Sequence, residues 1–373
     1  MPIVIRPHSV EHVEAVVRFN RRLMAAGAAD WMQIEAGPEP SWLPKRSGQK
    51  LYNEIFLALE NDEVRGGYVL KHQEFSFRGG AVRSIGYYHH PISEGMINKA
   101  YATVGALMIR DALRREPLLY ALGMDGYDKP LPKMLKLLGW KDYLVPFYFR
   151  VLRPFRFLRQ METLRRSGRN RVLMDVAAFS GAGWIGIKAL DRLRTLRGGS
   201  VGSCTSSEVP SFGEWADDVW NDAKDSYSMT ATRNSEVLKQ LYPPSQTQFT
   251  RLQVASNGAI VGWSVVAARG PKPRFGNMRV ASVVDCFASP ENAPAVVRAA
   301  TEALQHSHFD MVVTNQSNAE WGRAFERAGF FKGPSNFVFA ASPQLSQLLS
   351  PFDEAKEHTH FTRGDGDGLP NSF

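Results

Sequence analysis

The sequence predicts an α/β (α+β) chain of two similar units in tandem, each a mixed, mostly antiparallel sheet flanked by helices. Three observations carry this. Apolar residues alternate between a period of two and a period of 3.6, and the order of those segments in residues 1–151 returns in residues 206–345. Glu63-Val64-Arg65-Gly66-Gly67-Tyr68 is echoed by Ala259-Ile260-Val261-Gly262-Trp263, with Gly67 set against Gly262, and Leu137-Leu138-Gly139-Trp140 by Arg327-Ala328-Gly329-Phe330. At 373 residues, with 44% hydrophobic and 22% charged residues, the chain can bury two cores and is not globally disordered.

Residues 3–6 alternate as a strand, and 11–25 place Val13, Val16, Val17 and Met24 on one helical face. Gly37, Pro38, Pro40, Pro44 and Gly48 make 30–50 a loop. Strands over 54–59 and 64–73 flank the turn Asn61-Asp62-Glu63, and a strand from 81 to 88 runs into His89-His90-Pro91. A helix over 98–115 is stopped by Pro117. A strand over 118–123, a helix over 132–138 ended by Gly139 and a strand over 144–151 complete the first unit. The second unit repeats the order: a helix over 211–241, strands over 250–255 and 259–268 about Asn257-Gly258, and a strand over 279–287. It ends with helix 293–305, strand 310–314, helix 319–328 and a closing strand over 336–340. Residues 152–205 form a basic helical connector, and 346–373 a tail.

The net charge of +8 is concentrated. From Arg150 to Arg197 twelve basic residues face three acidic ones, so the folded faces elsewhere are close to neutral. That argues against general nucleic-acid affinity, which needs basic residues spread over a folded face. The apolar centre of the connector, 176–187, is shorter than the roughly 20 residues of a membrane span. Flanked by arginine and by Phe155, Phe157 and Leu158, it suits a helix lying on an anionic membrane surface, with packing between the units as the competing role. Cys204 and Cys286 match no metal-ligand spacing and read as reduced thiols. The first residues form no apolar signal segment, so the expected location is cytoplasmic, at most peripheral to the inner face of a membrane.

The element order and the stretch 315–330, which ends in Gly329-Phe330, resemble the GNAT superfamily of acyl-CoA N-acyltransferases. Pro91-Ile92-Ser93-Glu94-Gly95, Leu119-Tyr120-Ala121-Leu122-Gly123-Met124 and Pro130-Leu131-Pro132 resemble a tandem-domain bacterial group associated with surface polysaccharide. The resemblance covers most of 1–150 and 210–340. It implies acyl transfer from acyl-CoA (acetyl-CoA or longer), without a metal, to an amine of a sugar or cell-envelope precursor, small or lipid-linked. It also implies that the fourth strand splays from the fifth, leaving backbone N–H groups to polarise the thioester carbonyl. The loop 91–98 would then meet the pyrophosphate at a helix N-terminus. Tyr87, Tyr88, Gly95 and Asn98 are the donor-binding positions so implied.

The chain departs from that pattern twice. Neither half carries Arg/Gln-x-x-Gly-x-Gly/Ala; 289–294 has no glycine, and Glu291 would repel phosphate. The tyrosine that protonates the departing thiolate is replaced by Leu135 and Phe325. Two other functions therefore stay open. One is an aminoacyl-tRNA-dependent peptidoglycan-type ligase, the single setting in which a nucleic acid is a partner. The other is a non-catalytic scaffold of a polysaccharide assembly system.

For the chemistry itself, His89 and His90 end a strand at the expected cleft mouth, and an imidazole can take the proton of an attacking amine. Glu94 is a rival base. Tyr127 follows the fifth strand and could stand in for the missing acid, while Asp125 and Asp128 could bind an amine or hydroxyls; a solvated turn is the alternative for all three. Asp285 lies in Val283-Val284-Asp285-Cys286-Phe287, where a carboxylate is costly unless paired. It either contacts substrate or forms an ion pair with an arginine such as Arg279 or Arg298. The tail 358–368 lacks the twelfth-position glutamate of a calcium loop, and is expected to be mobile or to dock over a cleft.

Overall fold

The computed structural model describes residues 2–29, 31–160, 204–269, 277–305 and 308–366. Most of the basic connector, and with it the centre of the expected membrane-surface helix, lies outside them. The chain forms two compact units: Met1–Phe75, Val82–Tyr143 and Val338–Phe352 make unit 1, and Ser76–Ala81, Leu144–Phe337 and Asp353–Phe373 make unit 2. These units do not follow the linear boundaries expected at 151 and 206.

Unit 1 is built on a sheet in the order β1-β2-β3-β4-β5-β15-β6. Its strands are β1 (Val4–Pro7), β2 (Tyr52–Glu60), β3 (Glu63–Phe77), β4 (Val82–Ser93), β5 (Leu119–Gly123), β6 (Lys141–Leu144) and β15 (Val338–Ala341). Side chains alternate across a strand. Ile55, Leu57 and Leu59 accordingly pack with Val16, Phe19 and Leu23 of α1 (Val13–Ala25). Phe56 and Ala58 join the opposite core with Met108 of α2 (Val104–Arg115) and Leu135 of α3 (Pro130–Leu137). The helix expected over 98–115 begins only at Val104, after two 3-10 turns, Glu94–Met96 and Lys99–Tyr101.

Unit 2 has the sheet order β14-β7-β13-β12-β11-β10-β8. Here β7 is Phe147–Val151, β8 Cys204–Glu208, β10 Phe249–Ser256, β11 Ala259–Arg269, β12 Val280–Ala288, β13 Met311–Asn315 and β14 Phe331–Gly333. The single helix expected over 211–241 is two helices, α5 (Trp215–Ala223) and α6 (Ser235–Leu241), separated by the short strand β9 (Met229–Ala231). Between them Tyr227 is buried, its hydroxyl donating to the Ala288 carbonyl at 2.6 Å, which pulls the chain out of helical geometry. α7 (Ala293–Gln305) and α8 (Ala319–Arg327) follow β12 and β13.

The units share local geometry at the positions the sequence marked. Gly139 and Gly329 end α3 and α8 with φ of 80° and 86°. In each case the next residue donates to the carbonyl five back, Trp140 to Leu135 and Phe330 to Phe325. The equivalent of Gly262 is Gly66, not Gly67. Gly66 pairs with Ala58 and Gly262 with Val254, each just before a β-bulge. A Cβ on Gly66 would lie 2.7 Å from the Ile92 carbonyl oxygen, and one on Gly262 2.7 Å from that of Phe287.

The expected strand over 144–151 is broken at Val145-Pro146, and its two parts enter different sheets. β7 pairs with β13 and β14 in unit 2, whereas β15, from the far end of the chain, pairs antiparallel with β5 in unit 1. Each sheet thus takes its penultimate strand from the other half of the sequence. The start of the connector is also absorbed. In α4 (Pro154–Gln160), Phe157 and Leu158 are buried with Val280, Met311 and Val313 of unit 2. Arg153 and Arg156 lie 3.6 and 3.5 Å from the buried carboxylate of Asp310. Phe157 and Leu158 therefore have no role in a lipid contact; Phe155 stays exposed.

Candidate functional site

In unit 1 the parallel pairing of β4 with β5 consists of Gly86 with Leu119 and Tyr87 with Tyr120, and the two strands then diverge. Parallel strands that separate leave inward-facing N–H and C=O groups for a ligand. Tyr87 bridges the start of the gap: its hydroxyl donates to the Leu122 carbonyl at 2.8 Å, and its ring stacks on Tyr120 and on His89. The far ends of both strands are strained. His90 has φ 51°, and Met124 and Asp125 have φ 60° and 55° between Gly123 and Gly126, which are also left-handed. Non-glycine residues in that region cost about 1–3 kcal/mol each and cluster at ligand sites.

His89 is the sequence candidate that the geometry favours. Burial, reinforced by His90 and Lys71 nearby, holds its imidazole well below the usual histidine range, so it is neutral at physiological pH. Its Nε2 is buried and makes no hydrogen bond. Lys71, on β3, places its ammonium 5.6 Å from the centre of the Tyr87 ring. His90 differs from its neighbour, because its Nε2 lies 2.8 Å from the Gln33 carbonyl and is committed there as a donor. The Gln33 segment is itself fixed by Asn20 of α1, which exchanges two hydrogen bonds with the backbone of Ile34. Tyr88 points into the α2 core beside Tyr68.

The other candidates are drawn elsewhere. Glu94 is buried and bound by Arg22 at 3.2 Å and Arg65 at 3.1 Å, so it joins α1, β3 and the loop and is not a free base. Tyr127 is 42% exposed and its hydroxyl bonds Asp142; burial and that bond raise its pKa above the usual tyrosine range, which makes it a poor acid. Among the described residues no hydrogen bond or ring contact joins Tyr127 to His89. Asp125 and Asp128 sit in the turn after β5, with Asp128 exposed.

Gly95 is required by the chain, since a Cβ there would lie 2.5 Å from the Tyr101 carbonyl oxygen. Asn98 caps its own turn by accepting from Ala100 N–H. The loop amides of Gly95, Ile97, Asn98, Ala100, Tyr101 and Ala102 all donate within the loop. A phosphate cradle of the glycine-rich type is therefore not formed by 91–102.

In unit 2 β12 and β13 pair at three positions, Val280 with Met311 through Ser282 with Val313, and then separate. Asp285 lies past that point, 1% exposed. Its partner is Arg233, at 3.2 Å, rather than Arg279 or Arg298. It also accepts from the Tyr242 and Thr362 hydroxyls and from Cys286 N–H. Burial pushes the Asp285 carboxyl up, Arg233 opposes the shift, and Asp365, on the same guanidinium at 2.6 Å, adds to it. Asp285 is thus tied into a buried network with the tail and is closed to substrate. Burial likewise raises the Cys286 thiol, which is no nucleophile. The described residues hold no cluster of His, Cys, Asp or Glu able to bind a metal ion, and no helix among them is long and apolar enough to cross a membrane.

No protein-family model matches the sequence, and a search of curated proteins gave no match. Solved structures do match in fold. A probable N-acyltransferase of unknown function from Enterococcus faecalis V583 superposes with TM-score 0.52 and 9% identity, over 94% of this chain and 75% of its own. A GCN5-related N-acetyltransferase from Anabaena variabilis ATCC 29413 gives TM-score 0.52 and 7% identity, over 91% and 72%. At such identity the likeness is one of fold. With the splayed parallel strands in each sheet, it makes the two units GNAT-like domains, the architecture of the GCN5-related N-acetyltransferases.

Proposed function

We propose that unit 1 is an N-acyltransferase domain that moves an acyl group from acyl-CoA to an amine. The observation that carries this reading is His89, a neutral imidazole with an unbonded buried Nε2 where β4 leaves β5. An amine attacking a thioester must lose a proton, and the leaving thiolate must gain one. His89 would take the first proton and return it to sulfur, so that amide and free thiol form with all protons accounted for and no tyrosine acid is needed. Backbone N–H groups at the divergence would stabilise the oxyanion. The strongly lowered basicity of His89 limits the rate, because transfer is fastest when the base titrates near the working pH.

The splay suits the thioester arm of the donor, whereas the 91–102 loop does not suit its pyrophosphate. On this reading Asp125 and Asp128 flank the acceptor, an amine of a sugar or cell-envelope precursor, small or lipid-linked. The connector beyond residue 160 would bring a cytoplasmic protein to an anionic membrane surface. The test is release of free thiol from acetyl-CoA and longer acyl-CoAs with a panel of amino sugars, for the parent and His89→Gln. A folded His89→Gln protein should lose about 10²–10⁴-fold in rate; an unchanged rate removes His89 from the chemistry.

A second reading, a non-catalytic scaffold, is favoured by the internal use of Glu94, Tyr127 and the loop amides. It is the outcome if neither acyl-CoA nor bulk tRNA binds.

A further inference from the structure

Both units open their central parallel pair, yet unit 2 does not leave the opening empty. The tail residues Thr359 to Gly366, all buried, run through it, first extended to Thr362 and then in the 3-10 turn Arg363–Asp365. His360 forms a parallel bridge with Thr230 of β9, and Thr362 an antiparallel bridge with Gln316 just past β13. His360 N–H donates to the Met229 carbonyl, and Ser317 N–H to that of Phe361, at 2.9 and 3.0 Å. The side chains reach both walls of the gap. His360 Nε2 lies 2.8 Å from the Cys286 carbonyl on β12, Thr362 Oγ1 donates to Asp285, and Arg363 donates to Asn315 on β13 at 2.6 Å. A Cβ on Gly364 would press against Tyr242 and Asp285, so the tail backbone lies directly against β12 there.

We infer that the tail is the resident occupant of the donor cleft of unit 2 and keeps that unit shut to acyl-CoA. The segment uses groups that a bound thioester arm would need: the strand-edge groups of residues 316–317 and the Cys286 carbonyl, past the last β12–β13 pair at Ser282. It is held there by a buried charge cluster, Arg233 with Asp285 and Asp365, and by the Arg363 guanidinium on the Asn315 amide. A flexible thioester arm offers no charge that could replace Asp365, so a donor displacing the tail would leave the buried Arg233 with one of its two carboxylates and Asp285 without the Thr362 hydroxyl. The loop ahead of α7 agrees: it is the single turn Pro290–Asn292, without glycine and with the acidic Glu291, which would repel a phosphate. A GNAT-like unit closed in this way serves as a platform, and the chain has at most one donor site.

This inference uses the proposed function only for the identity of the donor, and the experiment separates the two. Hydrogen exchange is followed on the full chain with and without saturating acetyl-CoA, alongside calorimetry. The amides of His360, Asp365 and Gly366 should exchange slowly, as part of the stable core of unit 2, at the same rate in both conditions, with no more than one acetyl-CoA bound per chain. Rapid exchange of these amides in the free protein, their acceleration by acetyl-CoA, or two bound molecules per chain overturns the inference. Slow exchange with no acetyl-CoA bound at all leaves the tail assignment standing and removes the proposed function of unit 1.

Discussion

Replacing Arg233 with methionine removes the cation that holds two carboxylates while keeping much of the side-chain volume. Arg233 is 1% exposed, with Nε 3.2 Å from Asp285 and Nη2 2.6 Å from Asp365. Breaking a buried ion pair from one side costs about 3–5 kcal/mol. An independent bound comes from protonation. A stranded aspartate of ordinary pKa can escape its charge near pH 7 by binding a proton, at about 1.4 kcal/mol per unit over roughly three units, or about 4 kcal/mol. Asp285 keeps the Tyr242, Thr362 and Cys286 donors and Asp365 keeps the Thr362 N–H, so the loss is shared between the two carboxylates. The expected deficit at neutral pH is therefore about 3–5 kcal/mol.

The pH dependence distinguishes charge from packing in that experiment. In the variant a carboxyl is neutral when folded and ionised when unfolded, so the folded state binds more protons and its stability falls as pH rises. Between about pH 7 and pH 5 the deficit against the parent should shrink by up to about 3 kcal/mol. Urea denaturation of both proteins at the two pH values measures it, and Arg233→Met with Asp365→Asn should recover part of the loss. A deficit below about 1 kcal/mol, or one that does not change with pH, would refute the role given to this pair.

Other outcomes follow from the same geometry. Burial pushes His360 down to about 3. Its stabilising contribution is complete above the unfolded value near 6.5 and is lost as pH falls towards 3, at up to about 1.4 kcal/mol per unit. Between about pH 6.5 and pH 5 the parent should thus lose about 2 kcal/mol more than His360→Gln, read from urea midpoints. Glu94→Gln should lower stability by about 1–3 kcal/mol, since Arg22 and Arg65 lose their shared partner, and should leave activity per folded molecule unchanged; a tenfold activity loss in a fully stable protein would return Glu94 to the chemistry. Gly262→Ala should destabilise by about 1–3 kcal/mol, because its Cβ would meet the Phe287 carbonyl and Val296, whereas an alanine at Gly258, in open space but with φ of 84°, should cost less; thermal melts of the two rank them.

What the sequence showed and what it hid differ by range. The helix-ending glycines and the hairpins were legible because their causes lie within a few residues, whereas the glycine beside the β-bulge was set one residue off, at Gly67, because what constrains Gly66 is the distant Ile92 carbonyl. Asp285 was legible as a special position, since a carboxylate in an apolar strand needs a partner. Its partner was not, because Arg233 lies on the chain between β9 and α6 and Asp365 at the far end of the sequence. Glu94 shows the same limit: a loop carboxylate looks available until Arg22 and Arg65 arrive from α1 and β3. Lys71, buried in β3, left little trace in the sequence, because it opens the polar stretch Lys71-His72-Gln73-Glu74 of a strand expected to have one solvated face. The tail misleads through composition, since glycine and aspartate suggest mobility while Phe361, Thr362 and Arg363 find buried partners. Strand identity is local but strand partner is not, so β7 and β15 satisfy the same pattern in either sheet.

The exchange of β7 and β15 sets an order on synthesis. A nascent chain usually folds domain by domain as it emerges. Here the sheet of unit 1 stays open beside β5 until Val338–Ala341 has left the ribosome, although every other strand along its main path precedes residue 145. Meanwhile β7 waits for β13 to be made. Until then the growing protein carries unpaired strand edges, and the emergence of Val338–Ala341, rather than completion of either half, marks the first moment at which both sheets can close.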